Sequence, residues 1–276
     1  MARRWAVDDP RAQMHIGDCY WTLRSTSTGG MTADAWVWPR ADAALDAFAW
    51  LDLPELADVV LSPDAPPALA SDVLDWLETR LGERGASAIS CVVIAGDVAR
   101  ERLLDERGYA RSEGGNTRFH MDIPAELEPF PLPVGYRFAH VASPADIDRR
   151  VSIERAAFGS TTPLAADWRR LMQLPSYSAD LDLLVVAPDG AGASACTVYY
   201  DETTQCGEFE AVGTTPAHRR MGLCRALIVE GLRRLHRLGA RRAVVQTLIA
   251  NAPARGLYAS CGFAYAGSDV AWTKPL

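Results

Sequence analysis

The second half of the chain alternates between two hydrophobic periods. YRFAHV (136–141), LDLLVVAP (181–188), GASACTVYYD (192–201) and GEFEAVGT (207–214) are short and apolar, which predicts four strands. Helical runs over 144–158 and 163–174 follow the first of them. After the fourth, GLCRALIVEGLRRLHRLG (222–239) repeats Leu223, Leu227, Ile228, Leu232 and Leu235 at the spacing of one helix face and ends at Gly239, a residue suited to a helix stop. RRAVVQTLI (241–249) predicts a strand, APARGLYASCG (252–262) a short helix, and FAYAG with DVAWTKPL the strands that close the sheet. This alternation predicts a mixed α/β sandwich.

The pattern breaks at PAELEPFPLPVG (124–135), where four prolines remove backbone donors and favour extended chain. A boundary near Pro129 predicts two domains, residues 1–128 and 129–276. The first resembles a faint copy of the second. At a shift of about 154 positions, DVARERLLDERGYA (97–110) lies over NAPARGLYASCGFA (251–264), with Gly108 on Gly262, Tyr109 on Phe263 and Leu104 on Tyr258. VVLSP, ending at Pro63, matches AVGTTP, ending at Pro216, and the helical run 70–81 matches the helix after Gly222. A tandem duplication is expected.

Composition narrows the partners. Of 276 residues, 49% are apolar and 23% charged, enough for a sizeable core. A net charge of -7 leaves no general basic field for nucleic acid or an anionic membrane and favours a small cationic ligand. The cysteines Cys19, Cys91, Cys196, Cys206, Cys224 and Cys261 show no metal-binding spacing, so they read as buried thiols in a reducing compartment and no metal is expected. No apolar run is long enough to span a bilayer and the N-terminus has no signal-like apolar stretch, so a cytoplasmic protein is expected.

The chemistry concentrates in TTPAHRRMGLCRA (214–226), between a predicted strand and a long amphipathic helix. The first amides of a helix lack partners within it and sit at its positive end, so a glycine-containing loop there can hold a phosphate or pyrophosphate. Arg219 and Arg220 add charge, and Gly222 lets the backbone come close.

Residues 207–264 resemble the core of the GNAT acyltransferase superfamily. The family pattern R/Q-x-x-G-x-G/A after the fourth strand is met by Arg219, Arg220, Met221, Gly222, Leu223 and Cys224, with cysteine in place of the usual glycine or alanine. Pro216 precedes the arginine by three, as in V-x-P-x-x-R, and Asn251, Tyr258, Gly262 and Phe263 meet a second spaced pattern. The resemblance implies two GNAT-like units, each a mixed, mostly antiparallel sheet flanked by helices. It implies acetyl-CoA as co-substrate, with its pyrophosphate on the amides of residues 220–225, beside Arg219, and its pantetheine arm along Val212, Gly213 and Thr214, where family members splay two parallel strands. Asn251 would bond that arm. Tyr258 would act as acid toward the departing thiolate, and Glu210 as base toward the attacking amine. Glu208, two residues away on the same strand face, would assist Glu210 or bind the amine's charge.

The first half keeps none of this. SPDAPPALASD replaces the loop, Pro66 and Pro67 offer no N–H, and Leu104 replaces the tyrosine. Its tryptophans (Trp5, Trp21, Trp36, Trp38, Trp50, Trp76) and HIGDCYW suit a substrate wall or a homodimer surface. The layout resembles mycothiol synthases and bacterial amine acetyltransferases, including antibiotic-modifying ones, and the expected reaction is N-acetylation of a small amine. The alternatives are an acyl-CoA sensor without turnover and transfer of a different acyl or aminoacyl group.

Overall fold

The structure is a computed structural model that describes residues 15–24, 35–40, 45–52, 56–62, 65–66, 68–159, 161, 165–175 and 177–276. In chain order come α1 (Ile16–Arg24), β1 (Ala35–Pro39), β2 (Leu45–Asp52), β3 (Leu56–Leu61), α2 (Leu69–Glu83), β4 (Ala88–Ile94), α3 (Val98–Glu106), β5 (Ala110–Arg111) and β6 (Asn116–Asp122). After the proline-rich segment follow β7 (Arg137–His140), α4 (Pro144–Phe158), α5 (Ala165–Leu171), β8 (Asp182–Val186), β9 (Gly192–Asp201), β10 (Cys206–Thr214), α6 (Leu223–Arg237), β11 (Arg242–Leu248), α7 (Ala252–Ser260) and β12 (Ala264–Pro275). The predicted elements of the second half all form, and FAYAG and DVAWTKPL join into the single strand β12.

The strands make one mixed sheet in the order β1-β2-β3-β4-β12-β6-β11-β10-β9-β8-β7, with β5 beside β12. Among the described residues β3 with β4 and β10 with β11 run parallel, and the other pairs are antiparallel. β6 precedes the proline linker in sequence yet lies between β11 and β12. β12 pairs with β6 over Ala264–Ser268 and with β4 over Asp269–Pro275. The linker therefore divides the sequence but not the sheet, and Phe119 and Met121 of β6 sit in the same core as Phe209 and Tyr258.

Helix α6 packs its predicted apolar stripe on the sheet, burying Leu223, Leu227, Ile228, Leu232 and Leu235. Two glycines permit the close approach: a Cβ on Gly231 would stand 2.6 Å from the Phe209 ring, and one on Gly207 would run into Leu235. α4 starts at Ser143, whose hydroxyl accepts from the Asp146 N–H, and stops at Gly159 in the left-handed region.

Between α4, α5 and the sheet lies a buried polar knot. Arg150, wholly buried, donates to Asp182 (3.2 Å), Glu154 (3.1 Å) and Thr197 (3.2 Å) and stacks over Trp168. Trp168 and Tyr177 donate to the second Asp182 oxygen at 2.7 and 3.1 Å. α1 joins this layer through Tyr20, stacked on Tyr199, and Trp21, set edge-on to Trp168. Of the other tryptophans, Trp36 and Trp38 contact Trp76 within the first half, and Trp5 lies outside the described residues.

Candidate active site

The site begins where two parallel strands part. β10 and β11 pair over Cys206–Phe209 and Arg242–Val245; beyond these β10 continues along β9 to Thr214 and β11 along β6 to Leu248. A bulge marks the break: Ala211 has φ 46, and the register against β9 shifts between Glu210 and Gly213. Val212, Gly213 and Thr214 thus run along the opening with their β11 side unpaired. The Gly213 carbonyl, on the β9 side, accepts from the Ser194 hydroxyl at 2.7 Å.

The loop after β10 turns through Pro216–His218 into α6, with Arg220 (φ 65) and Gly222 (φ 80) both left-handed. Gly222 is the N-cap, and its carbonyl accepts from the Ala226 N–H, the first bond of the helix. The amides of Leu223, Cys224 and Arg225 therefore precede the helical ladder. His218 does not face them: its Nδ1 lies 2.9 Å from the Tyr136 hydroxyl, which pins the loop to the approach to β7.

The two arginines differ. Arg219 donates to the Thr214 carbonyl (3.4 Å) and the Ala157 carbonyl at the end of α4 (3.2 Å), so it braces the loop. Arg220 is exposed and makes no ion pair among the described residues. Met221 is exposed, and Arg225 lies over the Phe130 ring at 4.8 Å. Cys224 fits its position by turning inward, with its sulfur 2.9 Å from the Thr214 hydroxyl; burial raises its pKa, so it stays a neutral thiol.

Tyr258, on α7, is 4% exposed and packs between Phe119 and Phe263 at ring distances of 5.8 and 6.3 Å. Burial first, and the nearby Glu210 carboxylate second, push its pKa well above the usual phenol value. Asn251 caps the same helix, accepting from the Ala254 N–H at 3.2 Å, and is exposed at the surface. Glu210 is half-buried and accepts from the Ala211 N–H at 3.2 Å.

Glu208 shares that strand face but is 2% exposed. Its carboxylate meets His15 Nδ1 at 3.1 Å, while His15 Nε2 lies 3.2 Å from the Cys206 carbonyl. Burial pulls the imidazole's pKa down, but the Glu208 charge and the hydrogen bonds to Glu208 and Cys206 outweigh it and hold His15 well above its ordinary value. Asp18 accepts from Gln246 Nε2 at 2.6 Å and from the His15 N–H at 2.8 Å. One carboxylate oxygen each from Asp18, Glu208 and Glu210 lie within 4.8 Å of one another. Sequence reasoning missed His15, Asp18 and Gln246. HIGDCYW stood out only as polar and aromatic, and nothing in the pattern reveals a contact across 193 positions.

Residues 152–263 match the model of the acetyltransferase (GNAT) family. This segment is a GNAT domain. No curated protein matches the chain. Among solved structures, a GCN5-related N-acetyltransferase from Sphaerobacter thermophilus is similar at TM-score 0.72 and 18% identity, covering 99% of this chain and 89% of that one. A tandem GNAT protein from the clavulanic acid biosynthesis pathway gives 0.68 at 15% identity over 88% and 82%. A GCN5-related N-acetyltransferase from Kribbella flavida gives 0.61 at 17% identity over 92% and 95%. These likenesses extend the GNAT fold beyond the matched domain to nearly the whole chain.

Proposed function

We propose that the protein transfers an acetyl group from acetyl-CoA to a primary amine of a small, cationic molecule. The observation that carries this reading is the GNAT domain's opening between β10 and β11: it leads from the uncapped start of α6 to Glu210 and Tyr258. The amides of Leu223, Cys224 and Arg225, with Arg220 beside them, suit a pyrophosphate. The unpaired edge of Val212, Gly213 and Thr214 suits an amide-bearing pantetheine arm, which would add to it as a further strand would. Asn251 caps α7 through its side-chain oxygen, and its amide nitrogen suits a donor to the same arm.

Amines arrive protonated and attack only after losing that proton. Glu210, half-buried at the bulge, accepts it directly or through one water. Tyr258 then supplies a hydrogen bond, and finally a proton, to the departing thiolate. The two steps reinforce each other. While Glu210 is ionised its charge holds the proton on Tyr258; once Glu210 has taken the amine's proton that charge is gone, and the phenol becomes the better acid when the thiolate needs it. Glu208, spent on His15, is not needed as a second base.

Acetyl-CoA with cadaverine, spermidine, glucosamine and a lysyl peptide, followed by thiol release, tests this. Release with at least one amine, abolished in Glu210→Gln, is expected. Tight acetyl-CoA binding with no release on any amine would sink the reading.

A further inference from the structure

β10 and β11 separate after Phe209 and Val245, their last paired residues. The next residue on each strand, Glu210 and Gln246, therefore stand opposite each other on the two lips of the opening. Glu208 pairs with Val244, and side chains two apart on a strand share a side, so Glu210 and Gln246 face the same way. That side is covered by α1, which lies outside residues 152–263. The His15 ring meets Glu208 (3.1 Å), the Gly17 N–H (3.0 Å) and the Cys206 carbonyl (3.2 Å), and Tyr20 stacks on Tyr199 of β9. Gly17 lets the helix sit this close, because a Cβ there would run into the Glu208 carboxylate and stand 2.8 Å from the Tyr199 ring. α1 thereby delivers Asp18 to Gln246. One Asp18 oxygen accepts from Gln246 Nε2 at 2.6 Å, and the other accepts from the His15 N–H at 2.8 Å.

We propose that Gln246 binds the acceptor amine and that Asp18 is the positioning residue that fixes the Gln246 amide for it. The proposal rests on the reading of the protein as an N-acetyltransferase with Glu210 as base. A side-chain amide has a donor end and an acceptor end. With its donor end on Asp18, Gln246 keeps its carbonyl oxygen for a ligand, and among the described residues that oxygen takes no bond. One N–H of the amine donates to it while Glu210 takes the proton that must leave, so the nitrogen is held between the two lips. The bond to Asp18 needs a lone pair and not a charge. Burial first, and the Glu208 charge second, hold the Asp18 carboxyl above its ordinary value against the pull of Arg118, and a neutral carboxyl still accepts through its carbonyl oxygen. Arg118, the cross-strand neighbour of Gln246 on β6, is itself bonded to Asp269 at 3.1 Å.

The test uses the full chain, saturating acetyl-CoA and whichever of cadaverine, spermidine, glucosamine or the lysyl peptide gives the fastest thiol release. Gln246→Met, similar in length but without either polar end, should raise the amine KM about 10-fold and leave the acetyl-CoA Kd within about twofold of the parent's. Gln246→Leu is the second variant, with Tm measured for both. Asp18→Ala should also raise the amine KM, but add nothing further in the Gln246→Met background. Asp18→Asn keeps an accepting oxygen while removing any charge, and should retain the parent KM, a rescue that a role through charge would not give. An amine KM within about twofold of the parent's in both Gln246 variants, with release still abolished in Glu210→Gln, overturns the inference and leaves the base assignment standing. Asp18→Asn as impaired as Asp18→Ala overturns the part given to Asp18. A parent protein that releases no thiol with any amine overturns the acetyltransferase reading and this inference with it.

Discussion

Replacing Gly222 by alanine probes the phosphate cradle with one methyl group. Gly222 sits at φ 80, where an L side chain is strained by about 1–2 kcal/mol. Its new Cβ would also stand 3.1 Å from the Phe130 ring, a side chain able to tilt away. If the loop holds its shape, the cost appears as stability, a fall in Tm of roughly 2–4 °C for a chain of this size. If it relaxes, Gly222 leaves the left-handed region and the amides of Leu223 to Arg225 turn with it. Losing one charge-assisted bond to a pyrophosphate costs about 2 kcal/mol, or roughly 30-fold in Kd. Calorimetry with acetyl-CoA and thermal melting of the same variant give both numbers. An unchanged Tm together with an acetyl-CoA Kd within about twofold of the parent's would refute the assignment of these amides.

Tyr258→Phe keeps the packing against Phe119 and Phe263 but removes the acid; thiol release should slow about 100-fold while the acetyl-CoA Kd stays unchanged, and full activity would exclude the role. Arg150→Ala leaves Asp182 and Glu154 buried without their cation and should cost about 3–5 kcal/mol in urea unfolding; a loss below ~1 kcal/mol would show the knot to be dispensable. His15 has a raised folded pKa, so its contribution to stability is complete below its ordinary value of 6.5 and is lost as pH rises through the folded value. Melting of the parent protein should therefore decline from pH 6 toward alkaline conditions more steeply than that of His15→Gln, and parallel curves would contradict the buried imidazolium.

The GNAT domain was legible because its signals are local. The stripe of α6, the glycine at its head and the spacing from Asn251 to Tyr258 each lie within one element and its caps, where side-chain period and backbone conformation leave a direct imprint. Sheet neighbours were not legible: the alternation in NTRFHMD marks β6 as a strand, but its place between β11 and β12 depends on partners more than 100 positions away. Glu208 and Glu210 looked equivalent by parity along β10, yet α1 buries one and leaves the other half-open, a distinction made entirely by tertiary packing. The division of labour between Arg219 and Arg220 was hidden likewise, since it turns on the Ala157 carbonyl at the end of α4.

Calorimetric titration of the full chain with acetyl-CoA counts the cofactor sites. Among the described residues only the second half has a glycine-headed helix beside a parting of strands, so one site per chain, weakened by Gly222→Ala, is expected. Two sites per chain, or no binding at all, would contradict it.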